Sequence, residues 1–325
     1  MKLEDIGFYT LDDQRAMVAN SISPLHRCEL LLTDRCNFNC PYCRKTGIKD
    51  ISWEDAIQII DYWGLHGIKN VRFSGGEPTL WENLTELVIY TKLRYNPNHI
   101  ALSTNGSADT DLYHRLVDAG VNDFSISLDA CCASTAEVMS GIKGWNILDK
   151  VLNNIRVLSK LTYVTLGVVL TEQNITEVYK ICELALDLGV SDVRLISAAQ
   201  WNGKLELDVP KEAIEKFPIL RYRINNFKSG RNVRGIQSCD TTKCPLVLDD
   251  MAVMDGKHYP CIIFLREKGK AIGSMDNLAC VRRDRLEWYN TTNTHEHPTC
   301  RKNCLDVCID YNNKYEEIHN SNESI

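Results

Sequence analysis

Leu32-Thr33-Asp34-Arg35-Cys36-Asn37-Phe38-Asn39-Cys40-Pro41-Tyr42-Cys43 carries three cysteines in a C-x3-C-x2-C spacing, directly after an apolar run that reads as a buried strand. Three thiolates can hold three irons of a cubane [4Fe-4S] cluster and leave the fourth open, whereas a structural zinc or an electron-transfer cluster takes four protein ligands. An open iron is a place for a substrate or cofactor to bind. C-x2-C pieces also occur in zinc sites, so the triplet alone leaves zinc as an alternative.

Outward from this stretch, short β-branched runs alternate with amphipathic segments. Strands are predicted over residues 29–33, 70–74, 99–104, 123–128, 163–170 and 192–197, and helices over 53–63, 84–94, 110–119, 147–160 and 175–188. Ser52 and Asn174 stand where N-caps belong, and Gly120 and Gly189 where left-handed C-caps belong. Such βα alternation implies a parallel sheet with helices outside it and a working face at the strand C-termini. The triplet follows the first strand and so falls on that face. Ser74-Gly75-Gly76-Glu77-Pro78 follows the second, and its paired glycines let backbone approach a ligand closely.

The triplet with Tyr42 before its third cysteine, joined to the Gly75-Gly76-Glu77-Pro78 turn, resembles the signature of the radical S-adenosylmethionine (SAM) enzymes. The resemblance implies a partial (β/α)6 TIM-type barrel in which Cys36, Cys40 and Cys43 ligate a [4Fe-4S] cluster whose open iron chelates SAM. The reduced cluster then cleaves SAM to a 5'-deoxyadenosyl radical. It further implies that Gly75, Gly76, Glu77 and Pro78 meet the SAM amino group, with Glu77 as its counter-charge. Tyr42, Thr104, Asn105 and Ser127 would contact the rest of the cofactor, unless the polar strand ends merely cap the helices that follow. The apolar end of the fifth strand would lie against adenine. A flavodoxin- or ferredoxin-like protein would supply the electron.

The last third changes character. After residues 201–204 the rhythm fades, a helical stretch covers 210–227, and seven cysteines return at positions 239, 244, 261, 280, 300, 304 and 308. Asp255-Gly256 is a strong hairpin signal between Cys244 and Cys261. The pattern resembles the SPASM or twitch extension of radical SAM enzymes, which carries auxiliary [4Fe-4S] clusters. At least one such cluster is expected, on Cys239, Cys244, Cys261 and one of the last three, Cys308 first. Cys300 and Cys304 would serve that cluster or, with Cys280, a second; a zinc ribbon is the alternative, since spacing does not choose iron over zinc. The expected division is a lead-in over 1–23, the barrel over 24–205, a helical linker over 206–238 and a small cysteine-rich auxiliary-cluster domain over 239–325.

The 325 residues carry a net charge of −6, which offers no basic footprint for double-stranded nucleic acid. No apolar run approaches the roughly 20 residues needed to cross a bilayer, and no signal-peptide pattern opens the chain. A cytoplasmic protein off the membrane is expected, and its 14 cysteines then argue for metal ligation over disulfides. Cys28 and Cys182 read as core residues. Cys131-Cys132 reads either as packing or as a hydrogen-atom donor near the working face, and Arg194 either as a carboxylate partner or as half of a surface ion pair.

Oxidative modification of a ribosomal peptide is the leading reading of substrate, because SPASM and twitch proteins often act on peptides. Against it, about 27 residues before the first strand are too few for a leader-peptide-binding domain. A small-molecule enzyme is the alternative: the molybdenum-cofactor cyclase is similar in length and two-cluster plan. Its C-x2-C-x13-C spacing and terminal Gly-Gly are absent, the chain ending Asn322-Glu323-Ser324-Ile325. A non-catalytic iron-sulfur or zinc protein would explain the cysteines but not the glycine turn.

Overall fold

The computed structural model describes residues 1–143, 147–201 and 205–322. The sites at which the sequence reading ends the βα rhythm (202–204) and the chain (323–325) lie outside the described residues. Six strands, β1 (Arg27–Leu31), β2 (Asn70–Ser74), β3 (His99–Thr104), β4 (Asp123–Ser127), β5 (Tyr163–Leu170) and β6 (Asp192–Ser197), pair in parallel, each with the next. They form the partial TIM-type barrel expected of the βα rhythm. A seventh strand, β7 (Asp250–Met254), pairs in parallel with the other side of β1, Cys28 opposite Met251. Antiparallel β8 (Lys257–Tyr259) and β9 (Gly273–Ser274) complete a nine-stranded sheet of order β6-β5-β4-β3-β2-β1-β7-β8-β9. Asp255 and Gly256 turn β7 into β8 with φ of 50° and 64°, the two left-handed residues a type I′ turn requires.

The helices are α1 (Asp13–Val18), α2 (Trp53–Leu65), α3 (Leu84–Tyr95), α4 (Thr110–Ala119), α5 (Ala133–Ser140), α6 (Ile147–Leu158) and α7 (Val178–Leu188). Then follow α8 (Lys211–Lys216), α9 (Pro218–Lys228), α10 (Ile262–Arg266), α11 (Val281–Thr291), α12 (Pro298–Asn303) and α13 (Asp306–Asn322). Ser52 caps α2 by accepting from Asp55 N at 3.0 Å. Asn174 does not cap α7: fully buried, it donates to Asp129 O at 2.8 Å and Val169 O at 2.9 Å, tying the ends of β4 and β5 together. The helical stretch expected over 210–227 breaks at Phe217, because Pro218 has no N–H to continue the ladder. Its Phe217, Leu220, Ile224 and Phe227 join the main barrel core.

The lead-in is anchored by charge. Arg15 of α1 is buried and donates from Nε to Asp249 at 2.9 Å and from Nη2 to Asp250 at 2.5 Å, while its guanidinium lies 4.9 Å from the Tyr311 ring of α13. Leu3, Ile6 and Leu11 pack there on Leu246, Val307 and Tyr311, a core separate from the barrel's. Among the described residues no helix is long and apolar enough to cross a membrane.

Arg15→Met leaves two buried carboxylates short of a partner and is expected to lower unfolding stability by about 3–5 kcal/mol in a urea titration at pH 7. Burial pushes Asp250 up, but Arg15 and Arg27 outweigh it and hold its carboxyl below the ordinary range. That contribution is present above the unfolded carboxylate's value, about 4, and disappears as pH falls through the folded one. The deficit of the variant should therefore be largest at neutral pH and shrink below pH ~4.

Candidate active site

The cysteine loop is built on the glycine turn. Past β1, Leu32 N donates to Ser74 O at 2.9 Å, Gly76 N to Thr33 O at 2.6 Å and Glu77 N to Arg35 O at 2.8 Å. A Cβ on Gly75, whose φ is 154°, would stand 2.3 Å from Thr33 O, and one on Gly76 2.4 Å from Arg35 O. Only glycine lets the two segments lie this close. The Gly75 carbonyl also accepts a 2.7 Å hydrogen bond from Arg266, which reaches across from α10.

Glu77 departs from the expected role of counter-charge. It is fully buried, and its carboxylate accepts from Thr79 N (3.1 Å), Thr79 Oγ1 (2.7 Å), Thr104 Oγ1 (2.7 Å) and Asn105 N (2.7 Å). Burial pushes its acid up. With three of these bonds on Oε1 and one on Oε2, Glu77 ties the end of β2 to the end of β3, and both it and buried Pro78 stand behind the site wall.

A cavity of about 300 Å³ opens at the C-terminal ends of the strands, and Cys36, Cys40, Tyr42, Cys43, Gly75, Gly76, Thr104, Asn105 and Ser127 all line it. Thr104 presents its hydroxyl to Glu77, so Ser127, exposed at the end of β4, is the freer donor. Asn105 Nδ2 donates to Asn37 Oδ1 at 2.8 Å and lies 3.9 Å from Cys36 Sγ. Tyr42 donates its hydroxyl to Asp129, which burial pushes up to about 6 and which also accepts from Val169 N at 2.6 Å. The Cys40 thiol is pushed up to about 12, chiefly by burial.

The apolar wall comes from Met139 of α5 and Ile147, Leu148 and Val151 of α6, with no residue of β5. Sequence reading missed α5, whose Ala-Ser-Thr-Ala-Glu-Val-Met-Ser lacks a sustained apolar stripe. Gly141, at φ 68°, ends it where a Cβ would meet Asn39 O at 2.2 Å, so helix and cysteine loop are in backbone contact. Asp129 and Arg266 were missed as well; the first stands at a strand end, a position that signals function in a barrel. Cys131 and Cys132 are not among the residues lining the cavity; their sulfurs stand 3.2 and 3.5 Å from the Glu177 carboxylate oxygens.

Beneath this space lies a second, of about 280 Å³, sharing Glu29, Ser103, Ser125 and Arg194 with the first. Arg27, Arg72 and Arg223 also line it, and its far wall includes Cys261 and Cys308. Arg194 thus faces the barrel lumen and donates to Ser125 at 3.0 Å. Burial, with the charges of Arg72 and Arg223, pulls it down to about 10, so it stays a cation at neutral pH.

Cys244, Cys261, Cys300, Cys304 and Cys308 ring a third space of about 40 Å³. Burial first, then neighbouring thiols, pushes Cys261 up to about 11 and Cys300 to about 12. Cys239, expected among these ligands, is exposed on a turn whose Asp240 accepts from Gln237 N at 2.7 Å and Asn313 Nδ2 at 2.9 Å. Cys239 is not among the residues that line this space, although its neighbours Asp240 and Thr241 are, and Cys280, just before α11, does not line it either. Among the described residues no three Cys, His, Asp or Glu side chains close on a point where one metal ion would sit.

The model of the Radical SAM superfamily matches residues 30–185. Over 209 residues the chain is 32% identical to the probable GTP 3',8-cyclase of Saccharolobus solfataricus, covering 60% of this chain and 67% of that one. The chain belongs to the radical SAM superfamily. The probable GTP 3',8-cyclase of Pyrococcus horikoshii is 30% identical over 201 residues, 58% of each chain. The match thus spans about two thirds of the first relative's length and 58% of the second's. Among solved structures, Streptococcus suis SuiB bound to precursor peptide SuiA matches with a TM-score of 0.61 at 14% identity, over 89% of this chain and 71% of that one. Native anSMEcpe with bound AdoMet matches at 0.57 and 16%, over 91% and 97%. At these identities the likeness is one of fold.

As a radical SAM enzyme the protein works with a [4Fe-4S] cluster and SAM. Gly75→Ala is expected to raise the SAM dissociation constant at least about tenfold in anaerobic equilibrium dialysis, with an unchanged far-UV circular dichroism spectrum, because the added Cβ forces the turn off Thr33.

Proposed function

We propose that this radical SAM enzyme abstracts a hydrogen atom from a small anionic molecule held in the barrel lumen, between Cys36, Cys40 and Cys43 at one end and the ring of five cysteines at the other. The observation that carries the reading is the arginine lining. Arg72, Arg194 and Arg223 face the lumen, and among the described residues Arg194 Nε and Arg223 Nε and Nη2 are buried without a hydrogen-bond partner. Buried guanidinium donors left open favour a carboxylate or phosphate, which they grip in a planar fork. Asp123 takes up Arg72 at 2.9 Å and Asp306 pairs with Arg223, so Arg194 is the cation without a carboxylate.

With cluster and SAM bound, the site supplies a primary carbon radical. The chain's own residues bind and orient: the Gly75-Gly76 backbone and Ser127 present donors and acceptors to SAM, Asn105 restrains the loop at Cys36, and the Tyr42–Asp129 hydrogen bond fixes the roof. Arg194 would set the substrate's anionic end at the depth where its target C–H meets the radical. We assign an auxiliary [4Fe-4S] cluster to Cys244, Cys261 and two of Cys300, Cys304 and Cys308, in place of the set that included Cys239.

The relatives' name makes a nucleoside triphosphate the first compound to try, which favours the small-molecule reading over the peptide one. Peptide modification rests on likeness of fold and stands second. The absent C-x2-C-x13-C spacing is why the proposal stops at an anionic small molecule and does not extend to cyclisation.

Reconstituted anaerobically, the wild type should hold about eight irons and release 5'-deoxyadenosine with dithionite and SAM, and Cys40→Ala should release none. Cys261→Ala should hold about four irons, and Cys239→Ala the full complement. In a substrate screen, Arg194→Met should raise the KM for the stimulating anion about tenfold with little change in unstimulated cleavage. Stimulation by peptides alone, and by no anionic small molecule, would overturn the reading.

A further inference from the structure

We propose that α10 links the ring of five cysteines to the SAM site, and that Arg266 is the positioning residue through which a filled ring tightens the hold on SAM. The inference rests on the roles proposed for Cys244 and Cys261 in the ring and for Gly75 at the SAM site. Consecutive residues at one end of α10 hold both turns from which that site is built. Arg266 Nη2 donates to Gly75 O at 2.7 Å, across 191 residues of sequence, and the side chain lines the cavity. Next to it Glu267 pairs at 3.0 Å with Arg44, the residue that follows Cys43.

Arg266 acts on a peptide unit that little else restrains. The amide between Gly75 and Gly76 is planar, and its N–H already donates to Thr33 O at 2.6 Å. The carbonyl of a trans peptide points the other way, and the guanidinium takes it there, so the unit is gripped from both sides. Glycine on either side of the amide offers little steric resistance to its turning, so the two hydrogen bonds are what fix it. A charged donor makes the stronger kind of hydrogen bond, and the Gly75 oxygen keeps a second lone pair.

The other end of α10 belongs to the ring. Cys261 is the N-cap residue, and its Sγ accepts from Phe264 N at 3.4 Å. Cys261 also lines the ringed space with Cys244, Cys300, Cys304 and Cys308. Only Ile262–Arg266 separate that thiol from the guanidinium. This short body is tightly held: Phe264 and Leu265 share a core with Leu31 at the end of β1, and a Cβ on Gly269 would stand 2.2 Å from the Phe264 ring. Ligation in the ring fixes the Cys261 sulfur, which fixes the start of α10 and with it the place of Arg266 beside Gly75. Linkage makes the effect mutual, so bound SAM should also strengthen retention of whatever the ring holds.

The test is a double-mutant cycle on anaerobically reconstituted protein, read by equilibrium dialysis of SAM. Cys244→Ala removes a ring ligand without touching the cap of α10, and should raise the SAM dissociation constant about tenfold. Arg266→Met should raise it by a similar factor, and adding Cys244→Ala to Arg266→Met should change it by less than about twofold. Arg266→Lys should recover most of the affinity, because one carbonyl needs a single cationic donor and not a fork. The electron paramagnetic resonance signal of the reduced Cys36/Cys40/Cys43 cluster should respond to SAM in every variant, with Arg266→Met needing about ten times the SAM concentration. An unchanged dissociation constant in Arg266→Met would overturn the inference, and so would an equal effect of Cys244→Ala with and without Arg266. Full iron content in Cys244→Ala would instead defeat the ligand roles proposed for the ring, with the Arg266 variants still deciding whether the guanidinium positions Gly75.

Discussion

The site depends on a contact between two stretches of bare backbone. Gly75 and Gly76 lie against Thr33, Asp34 and Arg35 with no space for a Cβ between them, and hydrogen bonds on either side hold the two turns in register. One turn begins the cysteine loop and the other lines the cavity, so their relative position sets how Cys36, Cys40 and Cys43 stand to the opposite cavity wall. Glu77 secures the second turn to β3 from behind, and Arg266 secures it from the C-terminal region. A carboxylate and a guanidinium, both outside the expected contact roles, thus fix the geometry that the glycines permit.

Burial of charge is the second theme. Arg15, Arg72, Arg194, Arg223 and Arg285 all sit in the interior, and most meet a carboxylate or several carbonyls. Arg285 reaches Val247 O at 2.8 Å and Tyr259 O at 3.1 Å, closing the hairpin of β7 and β8 against α11. Such groups specify one arrangement because an alternative packing would strand a buried ion. Against that background Arg194 differs: its Nη2 donates to Ser125, and among the described residues its buried Nε has no hydrogen-bond partner.

Much of this was legible in the sequence because the barrel is written in local signals. β-branched runs, helix periodicity, the Asp255-Gly256 turn and the spacing of Cys36, Cys40 and Cys43 each act within a dozen residues, and five of the six predicted core strands start where the structure starts them. What escaped depends on direction. Spacing along the chain does not say that Cys239 points to solvent while Cys300 and Cys304 point inward, or that Glu77 turns its carboxylate back into the fold. The helix α5 escaped because its stability comes from packing on the cysteine loop and cavity, not from a stripe of its own. Asn174 escaped in the opposite sense: a good capping residue by type, it was drawn instead to the unpaired carbonyls at the ends of β4 and β5.

The pairing of β7 with β1 has a consequence for how the chain is made. β1 is the strand that leads into the cysteine loop, and its outer edge stays open until a segment more than 200 residues downstream has emerged. Until then a row of unsatisfied N–H and C=O groups, flanked by apolar Cys28 and Leu30, is available to any other extended chain. A pairing of such long sequence separation also forms slowly, since loop closure must precede the contacts that reward it. The C-terminal third is therefore a cover for a sheet edge as well as a cysteine-rich unit. A chain shortened before residue 250 would meet aggregation before it met a substrate.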